Sequence, residues 1–158
     1  MSEYMSDLKE GMRAPDFFLP TNMGNEIALP DFLGKKLVLY FYPKDDTPGC
    51  AIEAQDFTRH MEKFRAANCE IVGISRDDLE SHGKFADKYC LPFALASDLD
   101  GKACKSYGVW VEKSSFGTKS MGIERSTFLI DERGDLRKIW RAVKVDGHVE
   151  DILRSIQY

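Results

Sequence analysis

The chain has 158 residues and a formal net charge of −4, with acidic and basic side chains interleaved along its length. That length suggests a single domain over residues 1–158, able to bury roughly 68–70% of its unfolded surface without a disulfide or metal to hold it. The charge argues against nucleic acid or an anionic membrane as the main partner. No apolar run approaches the roughly 20 residues of a spanning helix. The N-terminal stretch MSEYMSDLKEGMRAP has no signal-peptide apolar region, so a cytoplasmic location is the expectation, although secretion without a signal peptide leaves no trace in a sequence.

In chain order, short strands are expected at Phe17–Leu19 and Glu26–Leu29, an N-terminal hairpin extension. The apolar run Lys36–Tyr42 predicts a strand in the middle of a sheet. A helix follows over Cys50–Arg65, with Cys50, Ala54, Phe57, Met61 and Phe64 on one face. Glu70–Ser75 predicts a second strand, and Asp78–Tyr89 a second helix with Asp77 or Asp78 as its cap. A short helix is expected near Lys102–Tyr107 and a weak strand at Val109–Glu112. Ser126–Ile130 and Leu136–Val143 read as a hairpin closed by the turn Asp131–Gly134. A last helix is expected from about Gly147 to Ile156. Strands alternating with helices, then a late hairpin and a terminal helix, predict an α/β fold with a central mixed sheet flanked by helices. The thioredoxin-like fold has this order.

Chemistry concentrates at one helix start. The four cysteines, Cys50, Cys69, Cys90 and Cys104, form no C-x-x-C pair, and with the scattered histidines they offer no zinc spacing. No metal or other cofactor is expected. Cys50 stands apart because of the stretch KDDTPGC. Thr47 is a good N-cap, Pro48 falls at the first helical position, and Cys50 takes the third, where a capping box carries a carboxylate. The helix N-terminus favours the ionised thiol, so its pKa should fall. An unperturbed thiol is about 3% thiolate at neutral pH, so full ionisation multiplies the reactive species only about thirtyfold. Enzymatic accelerations are roughly a millionfold or more. Other groups must therefore orient the second reactant and stabilise developing charge. Lys44, Asp45 and Asp46 read as a solvated loop, and Glu53 as a carboxylate matched to the helix dipole.

Pro43, Thr47 and Cys50 form P-x-x-x-T-x-x-C, which resembles the active-site signature of the peroxiredoxins. The flanking FYPKDDTPGC, the later RSTFLID and the terminal DGHVEDIL resemble the bacterioferritin comigratory protein class, also called peroxiredoxin Q, over about Met12–Ile156. The resemblance implies a thioredoxin-like fold and a thiol-dependent peroxidase. Cys50 thiolate would attack hydrogen peroxide or an organic hydroperoxide and become a sulfenic acid. Thr47 would offer its hydroxyl to thiolate and peroxide, and Pro43 would shield the sulfenate. Arg125, in GIERSTF, would bring its guanidinium to the sulfur and to the O–O bond. An external thiol, such as thioredoxin or glutaredoxin with glutathione, would complete the cycle, and the class is often monomeric, with a weak dimer allowed.

The sequence departs from that class where many members carry a resolving cysteine. Five residues after Cys50 stands Gln55, which forms no disulfide. A second family variant places the resolving cysteine on the next helix, near Ala86; Cys90 lies one turn later and reads as half-buried. Cys69 and Cys104 read as core thiols. Two cycles stay open: a one-cysteine peroxidase, which is preferred, and a two-cysteine enzyme resolved by Cys90 or, less readily, Cys104. A redox sensor or holdase using Cys50 is a third reading. A disulfide oxidoreductase is disfavoured by the lack of C-x-x-C.

Overall fold

The computed structural model describes residues 8–157; the outer ends of the expected domain lie outside that range. Strands β1 (Phe18–Pro20) and β2 (Glu26–Ala28) pair antiparallel as the expected N-terminal hairpin. A central sheet of five strands then forms from β3 (Lys36–Phe41), β4 (Cys69–Ser75), β5 (Ala94–Ser97), β8 (Ser126–Ile130) and β9 (Leu136–Trp140). Its spatial order is β5-β4-β3-β8-β9. The β3–β4 and β4–β5 pairs are parallel, and the β3–β8 and β8–β9 pairs antiparallel, so the sheet is mixed. Strands β6 (Trp110–Ser115) and β7 (Thr118–Ile123) pair as a separate antiparallel ribbon.

Strand β3 explains the layering. It lies at the centre of the sheet with both faces covered, and successive side chains point to opposite faces. Val38, Tyr40 and Tyr42 enter one apolar cluster with Phe57, Phe64, Phe85 and Ile152 from the helices. Leu37, Leu39 and Phe41 enter the other, with Ile27, Tyr107 and Phe128. The first cluster lies under α1 (Pro48–Arg59), α2 (Met61–Ala66), α3 (Leu79–Tyr89) and α5 (His148–Gln157); the second includes α4 (Lys102–Ser106).

Several elements differ from expectation. The helix expected over Cys50–Arg65 starts at Pro48 and is interrupted at His60, so it is two helices. The apolar spacing crosses the break because both pieces pack on the same cluster. The last strand stops at Trp140, short of Val143. Strand β5 and the second arm of the β6–β7 ribbon carry no periodic signal of their own: β5 has only four residues, and β7 is exposed except near Ile123.

Candidate active site

Strand β3 ends at Phe41, and the chain leaves the sheet through Tyr42 and Pro43 to enter α1 at Pro48, seven residues later. The carboxyl end of this central strand therefore delivers the first turn of α1 to the rim of the sheet. Thr47 is the N-cap, with extended backbone (φ −82°, ψ 154°), and Pro48 follows it. Its side chain makes no capping bond; the Thr47 hydroxyl donates instead to the carbonyl of Lys44 at 2.9 Å. Pro43 and Thr47 are half-buried, and Cys50 in the first helical turn is 1% exposed.

Arg125 reaches Cys50 from the link between β7 and β8. Its Nη2 donates to Cys50 Sγ at 3.3 Å, and its Nη1 donates to Glu53 Oε1 at 2.7 Å. Its backbone carbonyl accepts the N–H of Val143 at 2.9 Å. The guanidinium thus spans thiol and carboxylate on one face of α1, since residues three apart on a helix lie side by side. Gly49 makes room for it: a Cβ there would stand 3.2 Å from Arg125 Nη2.

Glu53 is fully buried, and its Oε2 has no partner among the described residues. Burial pushes its carboxyl up to about 7, against the opposing pull of Arg125. For Arg125, burial works against the charge, but Glu53 and then Cys50 outweigh it, and its pKa lies above the ordinary value. An arginine held charged beside a sulfur can stabilise both a thiolate and negative charge developing on a leaving oxygen. A buried carboxylate on the same guanidinium fixes its orientation.

The other cysteines are placed differently. Cys69 and Cys104 lie in the core; burial pushes the Cys69 thiol up to about 12, and burial with the nearby Asp98 raises Cys104 as well. Cys90, expected half-buried, is exposed: it caps α3 in the left-handed conformation (φ 53°), which turns the chain out at the helix end. All four cysteines are free. Gln55 is exposed on α1 and donates to the Ala51 carbonyl at 3.1 Å, and Ala86 is buried on α3. The Lys44–Asp46 turn, expected to be solvated, is not uniformly so. Asp45 is buried, whereas Asp46 is exposed, with left-handed backbone (φ 59°), and takes hydrogen bonds from Lys88 Nζ and the Tyr89 hydroxyl. Asp78, not Asp77, caps α3 by accepting from the Ser81 N–H at 2.9 Å.

Residues 11–139 match the model of the AhpC/TSA family. The chain belongs to the AhpC/TSA family. It is a peroxiredoxin, a thiol-dependent peroxidase, and its curated relatives include the bcp peroxiredoxin of Coxiella burnetii, 49% identical over 146 residues that cover 92% of this chain and 97% of the relative. Peroxiredoxin Bcp of Bacillus subtilis is 48% identical over 147 residues, 93% of this chain and 94% of the relative. Among solved structures, peroxiredoxin Q of Xanthomonas campestris superposes with a TM-score of 0.88 at 39% identity, covering 94% of this chain and 96% of that one. A cysteine-to-serine mutant of PrxQ from Xylella fastidiosa gives a TM-score of 0.90 at 36% identity, with 95% and 96% covered. The thioredoxin-like fold of these peroxiredoxins is therefore the fold of this chain.

Sequence reasoning left two contributors to the site without a role. Glu53 carried a readable signal, a carboxylate one turn beyond Cys50 on the same helix face, but not the identity of its partner 72 positions away. Gly49 carried none, because the space it leaves is filled by a side chain from another element.

Proposed function

We propose that Cys50 is the peroxidatic thiol and that the protein works as a one-cysteine peroxiredoxin on hydrogen peroxide and organic hydroperoxides. The observation that carries this is the 3.3 Å approach of Arg125 Nη2 to Cys50 Sγ at a helix N-terminus. The thiolate attacks the terminal oxygen of the hydroperoxide. An S–O bond forms, the O–O bond breaks, and the leaving oxygen departs as water or alcohol after taking a proton; Cys50 is left as a sulfenic acid. Arg125 stabilises charge on sulfur and on the leaving oxygen, with Glu53 holding its guanidinium. Thr47 offers its hydroxyl oxygen to the substrate, and Pro43 covers the sulfenate. One external thiol condenses with the sulfenic acid, releasing water, and a second frees Cys50 from the mixed disulfide. Reduction of organic hydroperoxides is supported by the solved Xanthomonas campestris relative, described by its alkyl peroxide reduction activity.

Gln55 and Ala86 at the two positions where the class carries a resolving cysteine favour the one-cysteine cycle. One observation favours the alternative: Cys90 is exposed, and its neighbours Lys88 and Tyr89 bond Asp46 of the active-site turn. We further assign the protein the role of a monomeric, single-domain cytoplasmic enzyme served by thioredoxin or by glutaredoxin with glutathione. Peroxide consumption with dithiothreitol as reductant tests the core of the reading, and a Cys50→Ser protein as fast as the parent refutes it. Non-reducing mass spectrometry after one equivalent of peroxide separates the cycles. The one-cysteine cycle predicts a trapped sulfenate and full turnover in Cys90→Ser, whereas an intramolecular Cys50–Cys90 disulfide overturns it.

A further inference from the structure

A buried polar network outside the reacting groups holds the turn that delivers Thr47. The Asp45 carboxylate has three partners: the Tyr42 hydroxyl donates to Oδ1 at 2.6 Å, the Ser81 hydroxyl donates to Oδ2 at 2.7 Å, and His82 Nδ1 lies 2.8 Å from Oδ2. His82 is fully buried, and its Nε2 donates to the carbonyl of Ala96 at 3.0 Å. On the other side of the turn, Asp77 Oδ2 accepts the N–H of Asp45 at 2.7 Å and the Ser75 hydroxyl at 2.7 Å. The Asp77 carbonyl accepts the Ser97 hydroxyl at 2.5 Å. Asp45, Asp77 and His82 bring possible metal ligands within 4.8 Å of one another. Both oxygens of Asp45, Oδ2 of Asp77 and both nitrogens of His82 are already engaged by protein groups, so the cluster is a hydrogen-bonded brace.

One peptide group joins this brace to the active site. The Lys44–Asp45 peptide gives its N–H to Asp77 Oδ2, and the carbonyl of the same peptide accepts the Thr47 hydroxyl proton at 2.9 Å. A peptide unit is planar and rigid. Anchoring its N–H therefore sets the direction of its carbonyl. The carbonyl in turn decides where the Thr47 proton lies, and leaves the lone pairs of Oγ1 to accept. A hydroxyl committed in this way is an acceptor for the terminal O–H of a hydroperoxide; a freely rotating one would spend part of its time presenting its own proton.

We propose that Asp77 is a positioning residue for the peroxide reaction: through the Lys44–Asp45 peptide it orients the Thr47 hydroxyl as an acceptor, while Asp45, Tyr42, Ser81 and His82 clamp the turn from the other side. This rests on the role given to Thr47 above. Asp77 touches neither thiol nor peroxide and acts only through the turn.

The test is a double-mutant cycle on the second-order rate with hydrogen peroxide, alongside alkylation of Cys50 by iodoacetamide, which has no hydroperoxide O–H to place. Losing one oriented hydrogen bond lowers the peroxide rate of Asp77→Ala about tenfold, with alkylation changed by less than about twofold. Asp77→Asn keeps an acceptor oxygen and recovers most of the rate. In a Thr47→Val background, Asp77→Ala has no further effect. Ser75→Ala, which removes the second partner of Asp77 Oδ2, gives the same pattern at smaller amplitude and serves if Asp77→Ala does not fold. An equal fall in the presence and absence of the Thr47 hydroxyl overturns the proposal, as does alkylation falling in step with peroxide reactivity. If Thr47→Val itself reacts with peroxide as fast as the parent, the role of Thr47 fails and this inference with it; if Thr47→Val is slow but the effects add, only the inference fails.

Discussion

Arg125 is the residue through which the site is assembled. It bonds a thiol and a carboxylate that belong to one helix, and it comes from the residue just before β8, the strand paired beside β3. Replacing it with alanine removes a positioned charged donor, for which losses of roughly 100- to 1,000-fold in rate are typical. Stopped-flow measurement of peroxide reduction by Arg125→Ala checks this, and a loss below about tenfold would show that the helix N-terminus supplies most of the stabilisation. Gly49 offers a finer probe. A methyl group there stands 3.2 Å from Arg125 Nη2, so Gly49→Ala must displace the far end of a flexible side chain and leave the backbone in place. The expected outcome is a peroxide rate reduced about tenfold, with unfolding free energy within ~0.5 kcal/mol of the parent. Arg125 is recognisable in the sequence through its motif; the reason Gly49 must lack a side chain belongs to the contact.

At the scale of elements, short helices depend on what satisfies their ends. Helix α4 has only five residues, and the buried carboxylate of Asp98 accepts the N–H groups of Ala103 and Cys104 at 3.1 and 2.8 Å. Those donors have no partner within the helix. Asp98→Ala leaves both buried donors unpaired and should cost about 2–4 kcal/mol, measured by urea unfolding, with the peroxide rate of the folded fraction unchanged because α4 lies in the cluster opposite Cys50. The elements that were legible, β3, β4, β8 and the amphipathic helices, are those whose burial imposes a period on their own residues. The ones that were missed had none. Strand β5 is a four-residue pairing on β4, and β7 is recognised by its partner β6. The break at His60 is invisible to periodicity because both pieces keep their apolar face on one cluster.

At the scale of the whole molecule, two buried ionisable groups oppose each other in pH. Glu53 is raised from 4.5 to about 7 by burial, with Arg125 opposing, so its contribution to stability is complete below 4.5 and is lost as pH rises through 7. His148, buried at the start of α5 with its Nε2 2.8 Å from the Thr127 hydroxyl, is lowered from 6.5 to about 4, chiefly by burial. Its contribution is complete above 6.5 and is lost as pH falls through 4. The slopes are opposite in sign where the two ranges overlap, so the parent should change little there. Each single substitution exposes the other slope: Glu53→Gln loses stability on acidification, and His148→Asn loses it as pH rises toward neutrality, each by up to about 1 kcal/mol per pH unit. Denaturant unfolding at several pH values reads both, and parallel profiles for the two variants would contradict the assignment.

The sequence by itself determined the local chemistry: a proline-started helix with a thiol in its first turn, a central strand apolar on both faces, and no resolving cysteine at Gln55 or Ala86. Periodicity, capping and covalent capacity are properties of neighbouring residues, and neighbouring residues are what a sequence records. Only the tertiary structure decided that Glu53 is buried against Arg125, that Gly49 leaves room for the guanidinium, that Asp45 is enclosed by Tyr42, Ser81 and His82, and that Cys90 is exposed. Each depends on which distant segment comes to lie against a residue, and that is set by the order of strands in the sheet, which the local pattern of a chain does not contain.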